Sequence, residues 1–165
     1  MRVVQLVVAI AGSCALLAFG GHKTPCLIWN ATASAPLGFY IVMQAFPLRR
    51  GEMVLAVPPP SVQRFAAQRG YLPVGIPLVK HIGALGGDDV CSKDNVITIN
   101  GHIAATRLTR DHLHRPMRAW SGCRTLTKSE LLLLNEHVAT SFDGRYFGPT
   151  ATAAVIGKLV PLWTH

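Results

Sequence analysis

The sequence predicts a mostly β domain with one short helix, set behind an N-terminal apolar segment. Three observations predict it. Short apolar runs recur between Gly- and Pro-containing turn signals. Only the stretch 61–70 carries a helical face. Asn100-Gly101 joins two apolar runs and is the strongest two-residue hairpin signal. Half of the 165 residues are hydrophobic and 15% are charged, which allows a single domain with a substantial core and argues against disorder.

The elements follow in order. Val3 to Gly21 carries no charge. At about 1.5 Å per helical residue, ~19 residues reach roughly 28 Å, near the thickness of a bilayer's hydrocarbon core. Two fates compete for residues 1–21: an uncleaved anchor, or a signal peptide cut after the small-x-small pattern Ala18-Phe19-Gly20. The length favours the anchor, and both imply that 22–165 is exported. Residues 22–33 read as a linker. Residues 39–46 (FYIVMQAF) and 53–57 (MVLAV) read as strands, the second stopped by Pro58-Pro59-Pro60. Ser61 is the expected N-cap of the helix and Gly70 its stop. Residues 75–83 (GIPLVKHIG) read as a strand, 83–89 as a turn-rich loop and 97–104 as the Asn-Gly hairpin. The run 105–124 reads as basic and irregular. LLLLN (131–135) is either a buried strand or a short buried helix, and 151–163 is a closing strand.

The formal net charge is +8, which implies an anionic partner or surface. Arg107, Arg110, Arg115, Arg118, Arg124 and Lys128 lie in one stretch whose sole acid is Asp111. No zinc-finger spacing, helix-turn-helix pattern or interleaved aromatics accompany them, so nucleic acid is not an expected partner. A solvated basic face is the simpler reading, and anionic lipid the second. Of four cysteines, Cys14 lies in the apolar segment. The other three allow three single pairings. Cys91 and Cys123 flank an insert-like region, 91–123, and are the expected pair, leaving Cys26 free. No C-x-x-C occurs, so a thioredoxin-like redox role has no basis. His102, His112, His114 and Cys123 fit no zinc spacing.

Chemistry centres on Lys80 and Ser34. In an extended strand Ile76, Leu78, Lys80 and Ile82 share one face, which puts an ammonium in an apolar row. Burial disfavours the charged form and makes such a lysine a usable general base; a long stem snorkelling to solvent is the plain alternative. Ser34, in the turn NATASAPLGFY (30–40), is by itself a turn former. A base would activate it. The Ser34 N–H and the Thr32 hydroxyl are the expected oxyanion donors. His81 points away from Lys80's face. Asp143 and Arg145 read as a surface ion pair or as a loop that supports a site, with Ser141 able to hydrogen-bond a lysine amine. Asn30-Ala31-Thr32 also matches a glycosylation acceptor.

Taken together, four segments in order resemble type I signal peptidases, and most closely the conjugative-transfer branch, the TraF-type pilin-processing serine peptidases. They are Thr32-Ala33-Ser34-Ala35-Pro36-Leu37-Gly38, then Arg50-Gly51-Glu52-Met53-Val54, then Leu78-Val79-Lys80-His81 with Gly87-Asp88, and finally Ser141 to Gly148. The resemblance covers nearly the whole chain. It implies a signal-peptidase-like β-sheet or barrel catalytic domain, with Ser34 as nucleophile and Lys80 as general base. Thr32 would complete the oxyanion hole. Ser141 would orient the lysine, and Asp143–Arg145 would hold the loop. In the transfer branch the matching aspartate is also implicated in activity. Housekeeping signal peptidases usually carry Met after the serine and Pro three places on. Here Ala35 follows and Pro36 is two places on, which points to the transfer branch.

The resemblance therefore implies a serine endopeptidase of the bacterial inner membrane, its catalytic domain on the periplasmic face. Its expected partners are a pilin precursor as substrate, membrane lipids and the conjugative type IV secretion machinery. No metal or cofactor is expected. The acyl-enzyme would pass to water, or to the substrate's own amine to give a cyclic pilin. The rival readings are a general signal peptidase and a non-catalytic pilus-assembly scaffold.

Overall fold

A computed structural model describes residues 26–165. The apolar segment 1–21 lies outside them. Among the described residues no helix is long and apolar enough to cross a membrane. The domain is mostly β, with every strand pair antiparallel.

The chain forms β1 (Leu27–Asn30), β2 (Gly38–Met43) and β3 (Met53–Ala56), then α1 (Pro60–Arg69). There follow β4 (Leu78–Leu85), β5 (Asp89–Lys93), β6 (Val96–Ile99), β7 (His102–Thr106), β8 (Gly122–Thr125) and β9 (Glu130–Leu134). The one-turn helix α2 (Gly144–Phe147), β10 (Thr150–Ala151), a 3-10 turn (Thr152–Ala154) and β11 (Val155–Thr164) complete it. A seven-stranded sheet has the order β1-β2-β11-β3-β4-β9-β10; a four-stranded sheet has the order β7-β6-β5-β8.

The leucine run 131–134 is a strand, and it explains how the two sheets meet. All four side chains are fully buried. Because side chains alternate along a strand, Leu131 and Leu133 join a core with Val54 and Ile82. Leu132 and Leu134 join a second core with Val90 and Ile97 from the small sheet. A strand buried on both faces reads as a continuous apolar run rather than an alternating one. β4 is another such strand, lying between β3 and β9. Its Leu78, Val79, Lys80, Ile82 and Ala84 are all buried. The expected row therefore shortens at its start: Ile76 precedes the strand and is exposed. Pro77 cannot donate to a ladder and delays strand entry.

Several boundaries differ from the sequence expectation. The linker 22–33 contains β1, which pairs with β2 from Leu27 to Asn30. The helix begins at Pro60, not after a Ser61 cap; Pro59 is the N-cap and makes no side-chain bond. Proline suits the first helical position, where its missing N–H is not needed. Gly70 ends the helix at φ 72°. Asn100 and Gly101 both have positive φ, 50° and 81°, as a type I′ hairpin requires. The insert around 91–123 is the small sheet, running from Asp89 to Thr125, with Cys91 and Cys123 paired across β5 and β8 and disulfide-bonded. Cys26 is free.

The basic stretch is not a uniformly solvated face. Arg107 is buried and donates to Ser92 Oγ and to the Trp120 and Arg145 carbonyls. Asp111 gathers Arg115, Arg69 and the Tyr71 hydroxyl, fastening 108–117 beside α1. Arg124 pairs with Glu130.

α2, read from the sequence as loop, packs its first residue onto β9. A Cβ on Gly144 would stand 2.6 Å from the Leu133 carbonyl oxygen and 2.8 Å from Leu132 Cδ1. Gly144→Ala should therefore lower stability by about 1–3 kcal/mol through forced displacement of the 141–148 segment. Thermal unfolding checks this; an unchanged midpoint would mean that α2 has slack against β9.

Candidate active site

The turn that carries Ser34 is held by a buried asparagine. Asn30 ends β1, and its Nδ2 donates to the carbonyls of Thr32 (3.0 Å), Ala35 (3.1 Å) and Pro36 (3.0 Å). Its Oδ1 accepts from the Thr32 N–H at 3.1 Å and the Thr32 hydroxyl at 2.8 Å. The Tyr40 hydroxyl donates to the Pro36 carbonyl from β2. These bonds close the chain into a compact loop with Ser34 half-buried at its tip. The buried, fully engaged Asn30 amide leaves no room for the glycosylation reading. Thr32 Oγ1 lies 3.4 Å from Ser34 Oγ, and its one proton is committed to Asn30.

Lys80 meets this turn from β4. Its side chain is 2% exposed, and Nζ lies 3.0 Å from both Ser34 Oγ and Ser141 Oγ. Burial disfavours the ammonium and lowers its pKa from 10.5 to about 8. The nearby Asp143 carboxylate pulls the other way, and the Arg145 guanidinium adds a smaller lowering. An amine near neutrality, within hydrogen-bond reach of one serine and oriented by another, can exchange a proton with that serine. His81, the next residue, faces away and bonds Asn135 through its N–H and Nδ1.

Asp143 and Arg145 are not a surface pair. They are 0% and 1% exposed and form two parallel contacts, Nε–Oδ1 at 2.8 Å and Nη2–Oδ2 at 3.1 Å. Asp143 also caps α2 by accepting from the Arg145 N–H, and it accepts from the Asn135 N–H. Arg145 donates to the carbonyls of Asn135, Thr106 and Ala139. The pair thus locks the segment bearing Ser141 to β9 and to the end of β7. Breaking such a pair leaves an uncompensated buried charge.

The other matched segments brace the junction of the two sheets. Arg50 pairs with Asp88, whose carboxylate also accepts from the Leu85 N–H and Asn100 Nδ2. Within the large sheet, Lys158 of β11 pairs with Glu52, which precedes β3, at 2.9 Å. Ser34, Lys80, Ser141, Thr32 and the Asp143–Arg145 pair are thus one cluster, and the Cys91–Cys123 disulfide belongs to the small sheet instead. A groove of about 570 Å³ runs past the cluster. The Ser34 turn and β1 form one wall, Ile76 to Lys80 another, and Leu108 to His112 part of the rim. Sequence reasoning missed Asn30 and Asn135 as site-builders. Their only signal is position, each at or just after the end of a strand that leads into a functional loop.

Comparison with known proteins adds an independent line. The family described as signal peptidase, peptidase S26, matches residues 1–163. A plasmid transfer protein TraF of Escherichia coli is 36% identical over 168 residues, covering 95% of this chain and 93% of that protein. A probable conjugal transfer protein TraF of Sinorhizobium fredii is 32% identical, covering 97% and 86%. A conjugal transfer protein TraF of Agrobacterium fabrum is 30% identical, covering 94% and 89%. A crystal structure of a signal peptidase I from Enterococcus faecalis aligns with a TM-score of 0.42 at 20% identity, over 71% of this chain and 100% of that one. With a family match over almost the entire sequence and relatives alike across nearly their full length, the chain belongs to the signal peptidase S26 family.

Proposed function

We propose that this protein is a membrane-anchored endopeptidase with a Ser34/Lys80 dyad that processes a pilin-type precursor for conjugative transfer. The observation that carries the proposal is the 3.0 Å approach of a buried, pKa-lowered Lys80 amine to Ser34 Oγ. Neutral Lys80 takes the Ser34 proton as Oγ attacks the substrate carbonyl. The resulting ammonium keeps its bond to Ser141 and lies in the field of the Asp143 carboxylate. It then protonates the leaving amine. The Ser34 N–H, which makes no hydrogen bond within the described structure, is available to the oxyanion. Thr32 joins it by turning its hydroxyl from Asn30, which keeps its other bonds to the turn. Water, or the substrate's own amine, then takes the acyl group from Ser34.

Two further observations support the substrate and the setting. β1 is an edge strand whose residues line the groove, so an extended peptide can pair beside it. The relatives named for plasmid and conjugal transfer favour a transfer-system substrate over general secretory precursors. An exposed apolar strip spans β1, β2 and β11: Trp29 packs on Phe39 at 4.8 Å and on Trp163 at 6.3 Å, with Leu27, Val160 and Leu162 nearby. Aromatic residues of this kind suit a membrane interface. The strip adjoins the end of the chain that leads to the apolar segment 1–21, which fits a domain held against the periplasmic face of the inner membrane. Tethering enzyme and membrane-borne substrate together raises their effective concentration.

Ser34→Ala and Lys80→Ala should each abolish maturation of the pilin precursor in cells while leaving protein levels intact, as an immunoblot would read. Maturation in both variants would sink the dyad. A wild type that matures nothing, yet is needed for pilus assembly, would favour the scaffold reading. The intact mass of the mature pilin separates the two fates of the acyl group, because ring closure loses one water relative to the hydrolysed product.

Activity should rise with pH through a midpoint of about 8, since the neutral amine is the active form. A rate profile flat from pH 6 to 10 would count against Lys80 as base.

Lys80→Met should be inactive yet more stable than wild type at pH 7, by up to roughly 3 kcal/mol. The folded pKa is the lowered one, so below pH 8 both states of wild type hold the proton and the burial penalty is complete. It fades between 8 and 10.5 as the folded state alone releases its proton. The advantage of Lys80→Met should shrink over that range in thermal unfolding, and a pH-independent difference would contradict the burial argument.

A further inference from the structure

Asn135 follows β9 and is 3% exposed. Its main chain serves the ion pair, the N–H donating to Asp143 Oδ2 at 3.0 Å and the carbonyl accepting from Arg145 Nη2 at 2.8 Å. Its side chain does something different. Nδ2 donates to the Ser34 carbonyl and to the Val79 carbonyl at 3.3 Å, and Oδ1 accepts from the His81 N–H at 3.1 Å. Val79 and His81 flank Lys80. One amide therefore bonds the nucleophile's own carbonyl and both neighbours of the base, across sequence separations of 101, 56 and 54 residues. Among the described residues, Asn135 and Lys80 contribute the only side chains from outside the β1–β2 hairpin that hydrogen-bond the turn 31–36. Without Asn135, the turn and β4 would be joined by hydrogen bonding only through the reacting groups themselves.

We propose that Asn135 is a positioning residue that fixes the separation of Ser34 and Lys80 by tying the Ser34 carbonyl to the backbone on either side of Lys80. The inference rests on the Ser/Lys reading. The tether has a direction: Nδ2 must donate, because both of its partners are carbonyls, and Oδ1 must accept, because it faces the His81 N–H. Aspartate has asparagine's shape but no donor, so Asn135→Asp would set a carboxylate oxygen against two carbonyl oxygens. Asn135→Ala would remove the tether while keeping the main-chain bonds to Asp143 and Arg145. Displacements of about 1 Å at a reacting pair can lower a rate about 10²-fold.

The test is the rate at which the full-length protein in detergent is acetylated by p-nitrophenyl acetate. It is followed as p-nitrophenolate release, with the acetyl group mapped to the Ser34 peptide by mass spectrometry. Both variants should acylate about 10²-fold more slowly than wild type. Their alkaline limb should also move to higher pH, as Lys80 loses its dry, fixed contact and, in Asn135→Asp, gains an anion. Of the other charged or titratable groups facing this region, Asp143 and Arg145 keep their main-chain bonds to residue 135 in both, whereas His81 Nδ1, 3.0 Å from Asn135 Oδ1, loses that partner in Asn135→Ala and faces a carboxylate in Asn135→Asp. Folding is monitored by thermal unfolding. A folded variant that acylates at the wild-type rate with an unmoved limb overturns the proposal. So does unfolding of both variants, which would make Asn135 a folding residue only. Ser34→Ala and Lys80→Ala run in parallel: continued modification of Ser34 in Lys80→Ala sinks the dyad itself, whereas a dead Ser34→Ala and Lys80→Ala beside unimpaired Asn135 variants sinks only the tether.

Discussion

Burial of the Lys80 amine against Ser34 is the constraint around which the domain is organised. An ammonium in an apolar strand is unfavourable, and the structure meets that with position rather than with a direct counter-charge. Two serine hydroxyls receive the amine, and the carboxylate whose field it feels, Asp143, is already paired with Arg145. The amine therefore feels a negative field too weak to restore its ordinary pKa, and it gives up its proton near pH 8 instead of above 10. Direct pairing with an aspartate would raise the pKa and defeat the proposed role as base; full isolation would leave the ammonium without support.

That balance requires β4 to be buried on both faces. The neighbouring β9 achieves this by sending alternate leucines into two cores, which presses the small sheet against the large one. The Asp143–Arg145 pair then fastens the Ser141 segment to the same strand. With the carboxylate and guanidinium almost completely enclosed, each group's hydrogen bonds are satisfied from the main chain of Asn135, Thr106 and Ala139 as well as from each other. A buried pair is weak support for net stability but strong support for a single arrangement, because a half-broken version is costly.

Ser34 lies on a separate piece of architecture. Its turn is organised locally by Asn30 and Tyr40, at the edge of the sheet where the groove opens and the aromatic strip begins. The two groups of the proposed dyad are thus divided between a rigid central strand and an edge hairpin. That division leaves Ser34 accessible to an extended chain while Lys80 stays dry. It also makes the contact between the two pieces the point at which geometry is most easily lost.

Much of this was legible in the sequence where one residue type admits few conformations. Asn100-Gly101 demanded a hairpin because two consecutive positive φ values suit few other pairs. The residues Ser34, Lys80, Ser141, Asp143 and Arg145 stood out through their order along the chain. The exact extent of β4 and the strand β1 were less legible, because Pro77 and the short LIWN run carry weak local signals whose outcome is set by pairing partners. Whether LLLLN was helix or strand was open, since an apolar run buried on both sides has no period to read. Burial and distance emerged only with the folded chain: Lys80 is enclosed, Asp143–Arg145 is internal, and Asn30 and Asn135 are structural donors. An asparagine has no hydrophobic periodicity and no charge, so its role is invisible until the fold brings carbonyls from distant strands within reach of its amide. Residue type and order along the chain marked the side chains able to do chemistry; the fold decided that they meet, because enclosing Lys80 between the Ser34 turn and the Ser141 segment removes the water that would hold its amine at the ordinary pKa.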